Sequence, residues 1–251
     1  MIHTHNIQLK LGGNPILNQV SIQVPKSRFT ALIGPNGAGK STLLHIIARL
    51  RKQDAGDIEL DGNKIQAYSH NELARHLSVL RQETRIASRL QVRDLVAFGR
   101  YPHNKGRRTP KDETIVDQAL ADFDLEAFAE RFLDTLSGGQ RQRALLAMNF
   151  AQNTDTVLLD EPLNNLDLSY ARVLMQLIRT QVEQKARTFV LVLHDLNYAA
   201  RYADYIIAMK QGEVFAHGET AQIFETGLLS ELYDTPIKVA QVDGMPLAIS
   251  Y

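Results

Sequence analysis

The sequence predicts an α/β fold, a parallel sheet covered by helices with a helical subdomain inserted into it. Three observations carry this. Short aliphatic runs at Ile16–Val24, Phe29–Ile33, Val157–Leu159, Phe189–Leu193 and Ile206–Met209 alternate with segments of helical period. Near-continuous apolar runs are what strands buried on both faces require. Between Gln91 and Ala151 the pattern changes, and no strand is expected there.

The first strand-to-helix junction runs from Phe29–Ile33 through a glycine-rich turn into the helical run Thr42–Leu50. In the middle of the chain, Val92–Phe98, Asp112–Phe123 and Gly138–Phe150 read as helices. This places the helical subdomain at residues 85–154 and the α/β core at 1–84 and 155–251. Pro102, Gly106 and Pro110 make the stretch Tyr101–Lys111 a solvated loop. Further on, Ser169–Glu183 reads as a helix whose Val173, Leu174, Leu177 and Ile178 form one core-facing stripe. Neither an internal repeat nor a low-complexity tract interrupts the pattern.

At 251 residues the chain is long enough to bury a sizeable core. Lys plus Arg and Asp plus Glu both number 28, so bulk electrostatics favours neither nucleic acid nor an anionic membrane. The absence of cysteine excludes disulfides and thiolate metal sites and fits a reducing compartment. Met1–Asn6 has no apolar core of signal-peptide type, and the longest apolar runs are too short to span a bilayer. Any membrane role therefore comes through a partner. His3, His5, His45, His70, His76 and His217 show no metal-ligand spacing along the chain and are expected to be polar surface or core residues.

The chemistry begins at Gly34-Pro35-Asn36-Gly37-Ala38-Gly39-Lys40-Ser41-Thr42, a G-x-x-x-x-G-K-S phosphate loop between a strand and a helix. Its glycines let successive N–H groups turn inward around phosphates. Lys40 adds a mobile positive charge, and Ser41 offers a hydroxyl to Mg²⁺. A second element, Thr156-Val157-Leu158-Leu159-Asp160-Glu161-Pro162, is an aliphatic strand that delivers two carboxylates to the carboxyl edge of the sheet. There Asp160 would serve Mg²⁺, and Glu161 would take a proton from the water attacking a γ-phosphate. Guanine recognition is unsupported, because Asn63-Lys64-Ile65-Gln66 lacks the expected carboxylate.

Beyond these two elements lie Gln82 after the segment Leu77–Arg81, the pentapeptide Leu136-Ser137-Gly138-Gly139-Gln140, Asn165-Leu166-Asp167, and His194 after Phe189–Leu193. In order and spacing, the chain resembles the ATP-binding subunit of an ATP-binding-cassette transporter over essentially its whole length. The resemblance implies a P-loop NTPase core, with an antiparallel β portion beside the mostly parallel sheet, in a single cassette domain. It implies that Gly34 to Thr42 bind ATP and that Gln82 contacts Mg²⁺ and the attacking water. It also implies that Ser137, Gly138, Gly139 and Gln140 cover the γ-phosphate held by a second copy, with Asp167 and His194 completing the site.

Two chains would then associate head to tail as a homodimer, with ATP sandwiched between them. The stretch Val92 to His103 and the tail His194 to Tyr202 look like the subgroup serving ferric siderophores, haem and cobalamin. That resemblance implies integral-membrane permease subunits as partners and, indirectly, a substrate-binding protein, with the chain peripheral on the cytoplasmic face of the inner membrane. Nucleic acid is not an expected partner. A soluble cassette ATPase acting on nucleic acid or ribosomes is the alternative, though it usually carries a coiled-coil insertion or two cassettes. The chain departs from the family at Leu11, where an aromatic residue usually stacks on adenine. A second departure is Leu163-Asn164, where relatives often carry threonine or serine and where the change is expected to be tolerated.

Overall fold

The computed structural model describes residues 1–82 and 89–250. The expected boundary between residues 84 and 85 lies outside the described residues. From the amino end the elements are β1 (Ile2–Leu11), β2 (Asn14–Val24), β3 (Phe29–Ile33), α1 (Lys40–Ile47), β4 (Ala55–Leu60), β5 (Asn63–Lys64), α2 (His70–His76) and β6 (Leu77–Leu80). The middle holds α3 (Val92–Phe98), α4 (Tyr101–Asn104), α5 (Pro110–Asp122), α6 (Gly138–Ala151), β7 (Thr156–Asp160) and α7 (Leu168–Lys185). Then follow β8 (Thr188–Val192), α8 (Leu196–Tyr202), β9 (Tyr205–Lys210), β10 (Glu213–Glu219), α9 (Thr220–Ile223), α10 (Thr226–Tyr233), β11 (Ile237–Val242) and β12 (Met245–Ser250). They form two compact units, Met1–Ala67 with Arg179–Tyr251, and Tyr68–Ile178.

The first unit contains both kinds of sheet. An antiparallel sheet of order β2-β1-β4-β5 buries Ile2, Thr4, Ile7 and Leu9 of β1 on one face and turns His3 and His5 to the other. In contrast, β3 pairs in parallel with β8 on one side and β9 on the other, Phe29 lying opposite Phe189. Every residue of β3 and β8 is buried, as the apolar runs require. The antiparallel strand β10 extends β9, and β11 with β12 forms a separate hairpin.

Four strand pairs in this unit are joined by two-residue turns at Gly12-Gly13, Asp61-Gly62, Gln211-Gly212 and Asp243-Gly244, each with positive φ at both positions. These are the hairpin turns whose twist matches that of the flanking strands. The expectation contains neither β4, β5, β10 nor the β11–β12 hairpin. Their strands are short or half-exposed, so hydrophobic runs do not reveal them.

In the second unit β6 and β7 pair in parallel from Leu77 opposite Thr156 to Leu80 opposite Leu159. Among the described residues from 91 to 151 there is no strand, and α3, α5 and α6 agree closely with the three expected helices. Their buried faces carry Val92, Leu95 and Val96, then Val116, Ala119 and Leu120, then Ala144, Leu146 and Ala147. The rings of Phe123 and Phe150 meet edge to face, with centroids 5.1 Å apart. At Gly99 a Cβ would lie 2.1 Å from the Met148 carbonyl oxygen, so α3 ends where only glycine fits against α6.

Two expectations are corrected here. Tyr101–Lys111 is not simply a solvated loop, because α4 occupies its start and α5 begins at Pro110. Thr109 and Asp112 form a reciprocal capping box at that start, which spacing by proline and glycine conceals. In α7, Leu174 and Ile178 are buried as expected, but Val173 is 48% exposed. The buried face runs through Ala171, Leu174, Met175 and Ile178, and Val173 falls outside that stripe.

The cap of α5 also anchors a buried ion pair. Arg100 Nε donates to Asp112 Oδ1 at 3.0 Å, and its Nη1 donates to the carbonyls of Ala151 and Gln152 at 2.9 and 3.3 Å. Burial pushes the Asp112 carboxyl up, but hydrogen bonds from the Thr109 amide and hydroxyl and from Arg100 outweigh it and hold the group well below the usual carboxylate range. Asp112→Asn is expected to cost about 3–5 kcal/mol, read by urea unfolding at neutral pH, because it leaves the Arg100 charge buried and uncompensated. A folded carboxyl held below its unfolded value stabilises at higher pH. The difference between wild type and variant should therefore shrink as pH falls below about 4.

Candidate nucleotide site

The phosphate loop occupies the turn from β3 into α1, within the first unit. Gly39 is the N-cap of α1, with φ 94° and no side-chain cap. The amide donors at the head of this helix are thus left to the backbone or to a ligand. Asn36 and Gly37 are exposed at the crest of the loop, whereas Gly34, Ala38 and Lys40 are buried.

Three contacts hold the loop in shape. At Gly34 a Cβ would lie 2.0 Å from the Met209 carbonyl oxygen, so β9 presses on the loop where no side chain can intervene. The Gly34 N–H donates to the Tyr233 hydroxyl at 3.0 Å. Burial of Tyr233 pushes its phenol up to about 12, so the hydroxyl stays neutral. From the β9–β10 turn, the Gly212 N–H donates to Ala38 O at 3.2 Å, while Gly212 O accepts from the Asn18 N–H at 2.9 Å. Lys40 Nζ donates to the carbonyls of Gly34 and Pro35 at 2.7 and 2.9 Å, so the ammonium rests on the loop itself.

The parallel pairing of β3 with β8 brings His194 to the same strand edge as Gly34. The Leu193 N–H donates to Leu32 O at 3.1 Å, and His194 follows, exposed. Leu11, at the end of β1, is 40% exposed.

The second unit carries the paired carboxylates. Asp160 ends β7 with 1% exposure, and Glu161 follows in the left-handed region at φ 50°. That conformation is uncommon for a residue with a Cβ. The carboxylate is held by two amides: Gln82 Nε2 and Asn164 Nδ2 each donate to Glu161 Oε2 at 2.7 Å. Gln82 reaches it because β6 runs parallel to β7 and ends at the same edge. Sequence reasoning treats Asn164 as a tolerated departure, yet its side chain donates to Glu161 and helps to orient it.

Ser137 opens α6 in a capping box, its hydroxyl accepting from the Gln140 N–H at 3.2 Å and its own N–H donating to Gln140 Oε1 at 3.0 Å. Beside it lies an open cavity of about 510 Å³ lined by residues including Ser137, Gly139, Gln140, Arg143, Asn165 and Asp167. Asp167 Oδ1 accepts from the Tyr170 N–H at 2.9 Å and the Ser169 hydroxyl at 2.7 Å, and these bonds hold its carboxyl below the usual range. The cavity wall is stiffened by Arg143, stacked 3.9 Å over the Tyr170 ring, whose hydroxyl donates to Asp124 at 2.8 Å.

The structure thus gathers the phosphate loop and His194 in one unit, and Gln82, Asp160, Glu161, Ser137 to Gln140 and Asp167 in the other. Tyr233 and Asn164 are the site-supporting residues that sequence reasoning misses. His3 and His5 come together with Glu59, their ligand-capable atoms all within 4.8 Å of one another, because Glu59 lies opposite His3 across the sheet.

A glycine loop at the head of α1 and an Asp-Glu pair at the end of β7 define a P-loop nucleotide hydrolase. A family model for the ABC transporter matches residues 17–164. The petrobactin import ATP-binding protein YclP of Bacillus subtilis (strain 168) is 43% identical over 251 residues, covering 100% of both chains. The ferric enterobactin transport ATP-binding protein FepC of Escherichia coli (strain K12) is 39% identical, over 97% of this chain and 91% of that protein. Among solved structures, a dimeric ATP-binding cassette in a post-hydrolysis state, bound to ADP and Pi, is similar with a TM-score of 0.79. It is 28% identical, over 88% of this chain and 99% of that one. The chain belongs to the ABC transporter family, whose cassette binds and hydrolyses ATP. Among the described residues no helix is long and apolar enough to cross a membrane.

Tyr233→Phe removes the acceptor for the Gly34 N–H and should lower stability by about 1–2 kcal/mol, measured by urea unfolding. ATP affinity, measured by titration calorimetry, should fall with it, because the loop loses its fixed starting point.

Proposed function

We propose that this chain is the ATP-hydrolysing subunit that drives a membrane permease for uptake of a metal chelate, a ferric siderophore. The observation that carries the hydrolytic half is the Glu161 carboxylate, set at a strand end beside the buried Asp160 and oriented by Gln82 and Asn164. Support for the cargo comes from the relatives, whose names assign them petrobactin and ferric enterobactin. The alternative of a soluble cassette acting on nucleic acid or ribosomes finds no support among them.

In this reading the chain is one cassette domain, its helical subdomain at residues 85–154. Gly34 to Thr42 bind the phosphates, and Lys40 leaves its resting carbonyls to meet the negative charge. The residues present suit a hard cation: Ser41, Asp160 and Gln82 offer oxygen donors and would hold Mg²⁺, which neutralises charge on the phosphate oxygens when bound. Glu161 accepts the proton of the attacking water, Gln82 positions that water, and His194 steadies the γ-phosphate.

Two chains pair head to tail, each phosphate loop facing Ser137, Gly138, Gly139 and Gln140 of the other, with Asp167 completing the contact. Dimer opening after hydrolysis moves the permease subunits, which receive cargo from a substrate-binding protein. The chain then sits peripherally on the cytoplasmic face of the inner membrane.

Glu161→Gln should retain ATP binding, lower kcat by about 10²–10⁴-fold and leave a long-lived dimer visible by size-exclusion chromatography. Near-normal turnover in that variant would sink the role of Glu161 as base. Asn164→Ala should lower kcat about tenfold, the worth of one hydrogen bond to a charged group, with KM little changed. Leu11→Tyr should tighten ATP binding several-fold by supplying the missing aromatic face, about 1 kcal/mol by calorimetry.

A further inference from the structure

The solvent face of the antiparallel sheet carries a group of side chains for which ATP hydrolysis has no use. His3 and His5 stand two residues apart on β1, so both project from the same face. Glu59 on β4 lies directly opposite His3, and their ligand-capable atoms together with those of His5 lie within 4.8 Å of one another. The imidazole rings meet edge to face, 6.2 Å between centroids. A second observation is independent of that convergence. His3 Nε2 is shielded from solvent and has no hydrogen-bond partner. Such a nitrogen in a folded protein calls for an explanation, and an ion is one of the few available.

We propose that His3, His5 and Glu59 form a binding site for a divalent first-row transition-metal ion, of which Zn²⁺ is the probe. Two imidazoles and one carboxylate exclude Mg²⁺ and Ca²⁺ as preferred occupants, since those ions take oxygen ligands. Zinc bonds of about 2.0–2.2 Å place tetrahedral ligand atoms about 3.4 Å apart. The ligand atoms lie within 4.8 Å of one another, and His5 is exposed and Glu59 half-buried, which leaves both side chains room to rotate toward an ion. Asp57, opposite His5, already pairs with Lys64 at 3.3 Å, so water fills the remaining positions. A bound ion adds a side-chain tie between β1 and β4 to their backbone pairing.

The test uses the untagged full chain, free of nucleotide, in excess Mg²⁺ so that oxygen-only sites are occupied. Zn²⁺ titrated by calorimetry should bind saturably at one ion per chain and raise the melting temperature. His5→Ala and Glu59→Gln, both at partly exposed positions, should each weaken binding by at least about tenfold and abolish the thermal shift. Co²⁺ substituted for Zn²⁺ should show visible d–d absorption of a low-coordinate site, lost in His3→Ala. The absence of saturable Zn²⁺ binding overturns the proposal, as does unchanged affinity in the His3→Ala/His5→Ala double variant. Should the double variant fail to fold, an unchanged Co²⁺ spectrum in Glu59→Gln and His5→Ala overturns it equally.

Discussion

The contact on which the first unit depends is the approach of the Met209 carbonyl to Gly34. β3 is parallel to both its neighbours and buried at every residue, so the chain can leave it only at the carboxyl edge. There it must turn at once into α1 while β9 occupies the adjacent space, and a Cβ at Gly34 would stand 2.0 Å from a carbonyl oxygen. The glycine is therefore demanded by packing before any phosphate is considered. Having been forced close to β9, the loop is fastened by groups that arrive from far along the chain: Tyr233, 199 residues away, and Gly212 in the β9–β10 turn. The result is a loop whose shape exists before a ligand binds, so little ordering entropy remains to be lost on binding.

Asp112 and Glu161 show how differently a fold can treat the same functional group. Asp112 is met by a guanidinium and by the cap of its own helix, an arrangement that locks it ionised and serves architecture. Glu161 accepts hydrogen bonds from two carboxamides, those of Gln82 and Asn164, which fix the direction of its carboxylate. The left-handed backbone at Glu161 turns the chain sharply at the end of β7.

Much of this was legible in the sequence. The phosphate loop, the Asp160-Glu161 strand end and the three helices between residues 91 and 151 announce themselves by local pattern, and β3 matches its apolar run residue for residue. The antiparallel strands were hidden by their exposure, although Asp61-Gly62 and Asp243-Gly244 are recognisable hairpin turns. Tyr233 and Asn164 were not legible for opposite reasons. Tyr233 matters through a partner far away in sequence, which no local spacing can reveal. Asn164 matters because the turn after Glu161 folds its amide back three residues, a geometry that one unfamiliar residue in a motif does not disclose. The grouping of His3 and His5 with Glu59 was invisible for the first of these reasons, since strand pairing supplies the third member.

The pentapeptide at the head of α6 carries one further step of argument. The Ser137 hydroxyl and the Gln140 amide oxygen are each committed to capping that helix, and Asp167 is committed to the start of α7. What this surface presents to a visitor is then main-chain N–H, the positive end of a helix dipole, and the donor groups that the cap does not use, the Ser137 O–H and the Gln140 Nε2. At Gly138 a Cβ would meet nothing within 4 Å, so nothing in the chain's own packing asks for glycine there. Without a side chain at that position, an anionic group from outside can come close to the helix N–H groups. A phosphate held on the loop of a second copy is such a group, as the proposed head-to-tail pairing requires.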